Sequence, residues 1–294
     1  MDMSVSHAAS LRPREFGADV MSLRGSLGPM ALSHSELAAT FEHPGVAEAY
    51  QHRPPYPAEV FTVLEQLIAD QPRRVLDIGA GEGALARPLA ERMDRVDAID
   101  ISPAMIDAGR DRPGGRRDNL RWIVGAVETS ELAGPYSLVT AGASLHWMSW
   151  QPVFDRLARA TLDDGLLAVV EHGPRDVPWR DELAAVIKSH SRNPDYDPDH
   201  SLIGAVRDGG HFEPIGHTET APITFRQPVA HYIEQFHSTS SLARELMSSE
   251  EAAEFDRAIE AVVTPWSEAG WLDLTVVATI DWGRPLASPG GASN

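Results

Sequence analysis

The sequence predicts a doubly wound α/β domain built on a mostly parallel sheet. From Arg73 onward, short apolar segments alternate with segments of helical periodicity, at the spacing of βαβ units. The first apolar segment runs directly into a glycine-rich turn at residues 79–83, and a helix is expected to follow. Connections between parallel strands are right-handed, so helices cover both faces of such a sheet. We also expect an N-terminal lid and a mostly helical cap.

The elements of the sheet follow one another along the chain. Apolar runs predict five strands, at residues 75–78, 95–100, 120–124, 137–141 and 166–170. Helices are expected at 84–93, from Pro103 onward and at 150–160. Ser102 is a suitable N-cap for the second of these helices, and Pro103 suits its first helical position.

The segments before and after the sheet lack the regular strand–helix alternation. A helix from Ser35 is expected to break at residues 43–45, and a rigid proline-rich joint at 53–57 precedes a helix at 58–69. Later elements are expected as helices at 180–191, 229–240 and 248–263 and strands at 212–225 and 273–282. Ser248 and Glu251 form a capping-box signature. The predicted organisation is a flexible extension at 1–40, one domain at 41–284 with cap segments at 174–210 and 228–270, and a loose tail at 285–294.

Composition limits the partners. The 294 residues include 43 acidic and 25 basic side chains, for a net charge of −18, and no cysteine. Such a charge repels phosphate backbones, so we expect neither nucleic acid nor a membrane as partner. No apolar run is long enough to span a membrane and no secretory signal is visible, which favours a cytoplasmic protein. The acidic loop at 195–199 lacks the glycine and glutamate of a calcium loop, and no metal site is predicted. A small molecule bound by a monomer or homodimer is expected.

The glycine turn and the end of the second strand carry the chemistry. Gly79 and Gly81 let the backbone turn sharply and approach a ligand, and the helix behind them offers free N–H groups. Asp100 ends the neighbouring strand, where one carboxylate suits the paired hydroxyls of a ribose. Since ligands in such sheets bind beyond the carboxyl ends of the strands, we expect a nucleoside near these three residues.

The same turn allows a second interpretation. Residues 79–84 match the relaxed dinucleotide pattern G-x-G-x-x-A, which favours an NAD-dependent oxidoreductase. Asp77 argues against it, because an anion at that position repels a pyrophosphate and attracts a cation. The third glycine also comes one position early, and no later segment resembles a second nucleotide-binding half.

Four motifs in order are similar to those of class I S-adenosylmethionine-dependent methyltransferases, which have a Rossmann-like sheet. Val75-Leu-Asp-Ile-Gly-Ala-Gly-Glu-Gly resembles the first motif, and Ala98-Ile-Asp-Ile-Ser-Pro-Ala-Met resembles the ribose-binding one. Tyr50-Gln-His-Arg-Pro-Pro-Tyr-Pro and Val139-Thr-Ala-Gly-Ala-Ser-Leu-His-Trp resemble segments of the type 11 branch that contains trans-aconitate methyltransferase. The resemblance covers about residues 41–172.

The resemblance implies a set of site residues. The cofactor-binding positions are Tyr50, Arg53, Asp77, Gly79, Ala80, Gly81, Asp100, Ile101, Met105, Ala126, Val127 and Ala141. The family often has an acid where this chain has Ala126, so we expect backbone groups at 126 and 127 to contact the adenine. His146 is the candidate catalytic residue, either as general base or as substrate orienter, with packing beside Trp147 as the alternative. Trp147, His172 and Tyr56 are candidates for the substrate pocket.

The activity implied is methyl transfer from S-adenosylmethionine to a small molecule such as a secondary metabolite, with S-adenosylhomocysteine as product. Oxygen is the favoured acceptor atom, and nitrogen and carbon stay open. Two alternatives remain beside it. One is the NAD-dependent oxidoreductase, and the other is a homologue that binds the cofactor without catalysing transfer.

Overall fold

The computed structural model describes residues 31–69 and 72–287. Eight strands lie within these residues: β1 Arg74–Ile78, β2 Arg95–Asp100, β3 Leu120–Val124, β4 Tyr136–Gly142, β5 Thr161–Pro174, β6 Phe212–Glu219, β7 Ile223–Pro228 and β8 Trp271–Pro285. They form one sheet in the order β3-β2-β1-β4-β5-β8-β6, and β7 also pairs with β8. Strands β1 to β5 are parallel, and β8 is antiparallel to its neighbours. The predicted fold class is confirmed.

Ten α-helices connect and flank the strands in the same part of the chain: α1 His34–Ala39, α2 Pro44–Tyr50, α3 Glu59–Gln66, α4 Ala86–Leu89, α5 Pro103–Asp111, α6 Trp150–Ala160, α7 Arg180–His190, α8 Leu202–Asp208, α9 Val229–Glu234 and α10 Ser249–Val263. The predicted caps are present. The Ser102 side chain accepts a hydrogen bond from the Met105 amide, and Ser248 and Glu251 form a complete capping box.

Several predicted elements differ from the structure. The helix expected at 84–93 is α-helical only over Ala86–Leu89, and residues 84 and 85 continue the turn that contains Gly83. Pro44 begins a new helix instead of only ending one, since its ring fits the first helical position. The strand expected at 212–225 is two strands, β6 and β7, separated where Thr220 bonds through both backbone and side chain to Ala278.

The two faces of the sheet have separate cores because side chains alternate along a strand. Val75 faces one side and packs in a cluster with α3 and α4, which contribute Leu64 and Leu89. The next residue, Leu76, faces the other side and packs in a cluster that includes α6 and α8. The helices of the parallel half therefore cover both faces, as a doubly wound sheet requires.

A third apolar cluster lies around the C-terminal helices. Trp179, Tyr232, Phe255 and Ile259 are buried there, together with Leu272 at the start of β8. Helices α7, α9 and α10 belong to this cluster, whereas α8 belongs to the sheet core. The boundaries predicted for the domain, its cap segments and its tail stay predictions. Most of the predicted extension, residues 1–30, and the end of the tail, residues 288–294, lie outside the described residues.

Candidate active site

A cavity of about 280 Å³ opens beyond the carboxyl ends of the parallel strands. The loops that follow β1, β2, β3 and β4 form most of its wall, and the N-terminal segment closes one side. Nine residues predicted to bind the cofactor line it: Tyr50, Arg53, Gly79, Gly81, Asp100, Ile101, Met105, Ala126 and Val127. The parallel register explains this convergence, because Ile78 pairs with Ile99 and both strands end at the same edge.

The glycine turn has the conformation that its composition predicts. Gly79 and Gly81 have φ values of +60° and +55°, which side chains disfavour. A Cβ on Gly79 would lie 2.5 Å from the Cβ of Ser144, so the turn also passes too close to the loop after β4 for any side chain. The Ala80 amide donates to the Ile99 carbonyl over 2.9 Å and fixes the turn against β2.

Asp100 is oriented by backbone amides at the end of β2. Its Oδ2 accepts from the Gly81 amide and its Oδ1 from the Ser102 amide, each over 2.8 Å. Burial raises the pKa of Asp100, while these two bonds act in the opposite direction. Each carboxylate oxygen can accept more than one hydrogen bond, so both can still receive a ligand hydroxyl.

Asp77 lies beneath the glycine turn and is fully buried. Its Oδ1 accepts from the Thr140 hydroxyl over 2.7 Å. Burial raises the pKa of Asp77 to about 7, with repulsion from Asp100 as a smaller cause. Asp77 and Ala80 line a small cavity that shares Tyr50 and Gly79 with the main one. A cation bound there would stabilise the ionised carboxylate.

The loop after β3 forms another part of the wall. Gly125, Ala126, Val127 and Glu128 all line the cavity, as does Met105. Glu128 also accepts from the Ser149 amide over 2.9 Å, which ties this loop to the start of α6. The wall here is largely apolar, as expected for the face of an adenine.

The turn after β4 places the remaining predicted residues unequally. Trp147 lines the cavity, but among the described residues the wall does not include His146, whose ring centroid lies 4.5 Å from that of Trp147. Ala141 is fully buried inside β4, and Gly142, Ala143 and Ser144 form the wall in its place. The predicted strand ended at Ala141, whereas the chain meets the cavity from Gly142, the last residue of β4, onward.

The N-terminal segment contributes more than the motif predicted. Phe41 and Ala38 line the cavity besides Tyr50 and Arg53, and the Phe41 ring lies 5.6 Å from that of Trp147. Ala38 and Phe41 could have been predicted as lining residues from their spacing of three positions, because a helix brings such residues to one face.

Tyr56 and His172 pack together behind the main cavity. Their ring centroids are 3.8 Å apart, and His172 Nε2 lies 2.8 Å from the Pro54 carbonyl oxygen. Burial lowers the pKa of His172 to about 4, so the ring is neutral at physiological pH and donates its Nε2 proton to this carbonyl. Tyr56 lines the small cavity beside Asp77, and His172 fixes the proline-rich joint. Their contact with a substrate stays a prediction.

Within residues 31–69 and 72–287, no helix has the length and apolar character that crossing a membrane requires. The same ranges contain no group of three or more His, Cys, Asp or Glu side chains placed to hold a metal ion.

Known proteins resemble the central segment in sequence. Residues 75–165 match the family model described as a methyltransferase domain. A malonyl-[acyl-carrier protein] O-methyltransferase from Acetivibrio thermocellus is 33% identical over 117 residues, 38% of this chain and 41% of that protein. A trans-aconitate 2-methyltransferase from Mycobacterium marinum is 27% identical over 172 residues, 58% of this chain and 49% of that protein. The chain thus spans about half the length of these relatives.

Solved structures resemble a larger part of the chain. A structure from Anaeromyxobacter dehalogenans, described as a type II methyltransferase, has a TM-score of 0.56 and 23% identity, and it covers 80% of this chain and 99% of that one. An S-adenosylmethionine-dependent methyltransferase from Geobacter sulfurreducens, in complex with S-adenosyl-L-homocysteine, has a TM-score of 0.50 and 15% identity, covering 87% and 100%. At these identities the likeness establishes the fold.

The strand order is that of a class I methyltransferase-like α/β fold. Residues 75–165 match the methyltransferase-domain model, so the resemblance that the four motifs predicted is confirmed for this segment.

Proposed function

We propose that this protein is an S-adenosylmethionine-dependent methyltransferase that methylates an oxygen atom of a small molecule. The observation that carries the proposal is the meeting of the glycine turn with the amide-oriented carboxylate of Asp100 at one wall of an apolar cavity. Parallel sheets bind nucleosides at this edge.

The residues fit the proposed cofactor. Asp100 would accept hydrogen bonds from the ribose hydroxyls, and Met105 and the loop at 125–127 would contact the adenine. Asp77, a buried carboxylate beside Gly79, would hold the ammonium of the methionine part. The same carboxylate disfavours the pyrophosphate of NAD, which supports the methyltransferase over the oxidoreductase.

When bound, the cofactor supplies a methyl group on a positively charged sulfur. The chain's own residues bind and align the reactants and exclude water. Phe41, Trp147 and Met148 form an apolar wall suited to exclusion of water from the acceptor. We propose that His146, on the same turn as Trp147, orients the acceptor or takes its proton. A carboxylate acceptor needs only positioning, whereas a hydroxyl needs a base.

The class of acceptor rests on the cavity and on the charge of the chain. A largely apolar cavity suits a small molecule, and a net charge of −18 disfavours nucleic acid. One of the two relatives is named for malonyl-[acyl-carrier protein] and for oxygen as the acceptor atom, and the other is named for trans-aconitate. Cytoplasmic location and a monomeric or homodimeric state stay predictions.

Titration calorimetry tests the proposal. S-adenosylhomocysteine is expected to bind at micromolar concentration, and NADH is expected to bind far more weakly. Preferential binding of NADH would replace the methyltransferase by the oxidoreductase. Incubation with methyl-labelled S-adenosylmethionine and small carboxylic and phenolic acceptors then separates an active enzyme from a binding homologue.

A further inference from the structure

Arg53 has an unusual electrostatic setting in the cavity wall. It is the only basic residue among the described residues that line the cavity. Within residues 31–69 and 72–287, no carboxylate forms an ion pair with it, although the chain carries 43 acidic side chains. Guanidinium groups bind carboxylates through two parallel hydrogen bonds. We therefore expect Arg53 to form its ion pair with a carboxylate of a bound ligand.

The orientation of this guanidinium is set by a residue far away in sequence. Arg53 Nε donates to the Ser238 hydroxyl over 2.7 Å, and Nη2 donates to the Ser238 carbonyl over 3.0 Å. The Tyr50 ring lies against the same group, with its centroid 4.2 Å from Cζ. One edge of the guanidinium is thus held by Ser238 and one face by Tyr50, which leaves the other edge for a ligand.

The Ser238 side chain is itself held in one orientation. It is fully buried in the 3-10 turn Gln235–Ser238, which follows α9. Its hydroxyl donates to the Gln235 carbonyl, so an oxygen lone pair is directed to Arg53. This serine has a donor and an acceptor role, and both are used.

The charges around the methionine end of the cavity are complementary to an amino acid. Tyr50 and Gly79 line both the main cavity, to which Arg53 belongs, and the small one, to which Asp77 belongs. The carboxyl group of Asp77 and the guanidinium of Arg53 therefore each share a cavity wall with Tyr50 and Gly79. An amino acid carries an ammonium, which complements the Asp77 carboxylate, and a carboxylate, which complements the Arg53 guanidinium.

We propose that Ser238 is a positioning residue that holds Arg53 ready for the carboxylate of the cofactor's amino-acid part. This inference rests on the proposed function. It links the C-terminal helices to the cofactor, because the two residues are 185 positions apart. The affinity for the amino-acid part then depends on the docking of the N-terminal segment against these helices.

The test compares two ligands that differ in the amino-acid part, which carries both the carboxylate and the ammonium. S-adenosylhomocysteine carries the amino-acid part, and 5′-methylthioadenosine has the same nucleoside thioether without it. Ser238→Ala should weaken binding of the first about fivefold and leave the second within twofold, as expected for loss of a bond to a charged group at one remove. Ser240→Ala, another buried serine of the same segment, is the matched control and should change neither.

A second variant keeps the test decisive if Ser238→Ala folds poorly. Arg53→Lys retains the charge, loses the two-pronged geometry, and should also weaken only S-adenosylhomocysteine. The double variant with Ser238→Ala and Arg53→Lys should bind S-adenosylhomocysteine no more weakly than Arg53→Lys alone, because the serine acts through the arginine.

The outcomes separate this inference from the proposed function. The role of Ser238 is overturned if Ser238→Ala and Arg53→Lys weaken the binding of both ligands equally, or weaken the binding of neither. In that case the wild-type protein still binds S-adenosylhomocysteine, and the proposed function stands. Failure of the wild-type protein to bind either ligand overturns the proposed function itself.

Discussion

The two sides of the cavity are built in different ways. On the sheet side, the glycine turn, Asp100 and the loop at 125–128 each follow directly after a strand. On the other side, Arg53 depends on Ser238, which is 185 positions away. The positions of the side chains on the sheet side therefore depend on local sequence and strand register. Those on the other side, called the lid side below, depend on the packing of distant segments. Substitutions on the sheet side should act on the cofactor directly, and those on the lid side through orientation.

The largest effect is expected at the turn between the two sides. His146→Ala should lower turnover by about 100-fold or more, the contribution of a positioned acid or base, with affinity for S-adenosylhomocysteine within twofold. Single-turnover assays with saturating labelled donor measure this once an acceptor is known. Persistent turnover would leave His146 with packing against Trp147 as its role.

The next effect is expected at the glycine turn. Gly79→Ala places a Cβ 2.5 Å from that of Ser144 at a φ of +60°, so the turn must move and affinity for S-adenosylhomocysteine should fall about 100-fold. Gly210→Ala is the matched control, since Gly210 has a φ of +73° with open space around it. Calorimetry should show unchanged binding for the control. Similar binding by both variants would mean that the turn does not form the site.

A smaller effect is expected at the end of β2. Asp100→Ala removes the carboxylate proposed to accept the ribose hydroxyls, and it should weaken S-adenosylhomocysteine binding by about 1–3 kcal/mol. A thermal melt without ligand serves as the control for folding. Unchanged affinity in a folded variant would refute the assignment of the ribose.

The smallest effect is a pH dependence at Asp77. The ionised carboxylate is the form proposed to bind the ligand ammonium, and burial raises its pKa in the free protein to about 7. Affinity should therefore increase as pH rises through 7, by roughly tenfold between pH 6 and pH 8. The raised pKa of Asp100 acts in the same direction. In Asp77→Asn the steep part of this profile should disappear, and a profile identical to that of the wild type would exclude Asp77 as its source.

The same difference between the two sides explains what the sequence could predict. Strands β1 to β4, the cap Ser102 and the lining positions Gly79, Asp100 and Met105 depend on periodicity and on residues close in sequence, and the structure has them as expected. Whether they bind the cofactor stays a prediction. The helix expected at 84–93 was wrong in extent, because residues 84 and 85 belong to the turn and the α-helix ends at Leu89.

The unpredicted part depends on tertiary packing. Ser144 reaches the wall because its loop crosses the glycine turn and its hydroxyl donates to the Ile78 carbonyl over 2.7 Å. Ser238 belongs to none of the four motifs, and its contact with Arg53 follows from the packing of two segments that are distant in sequence. A pattern in one sequence carries no information on such meetings.

A crystal structure of the protein grown with S-adenosylhomocysteine tests the central claim most directly. The account predicts the ribose hydroxyls within hydrogen-bond distance of Asp100, the adenine against Met105 and residues 125–127, and the amino-acid carboxylate at Arg53. A ligand bound elsewhere, or one whose ribose makes no contact with Asp100, would contradict it.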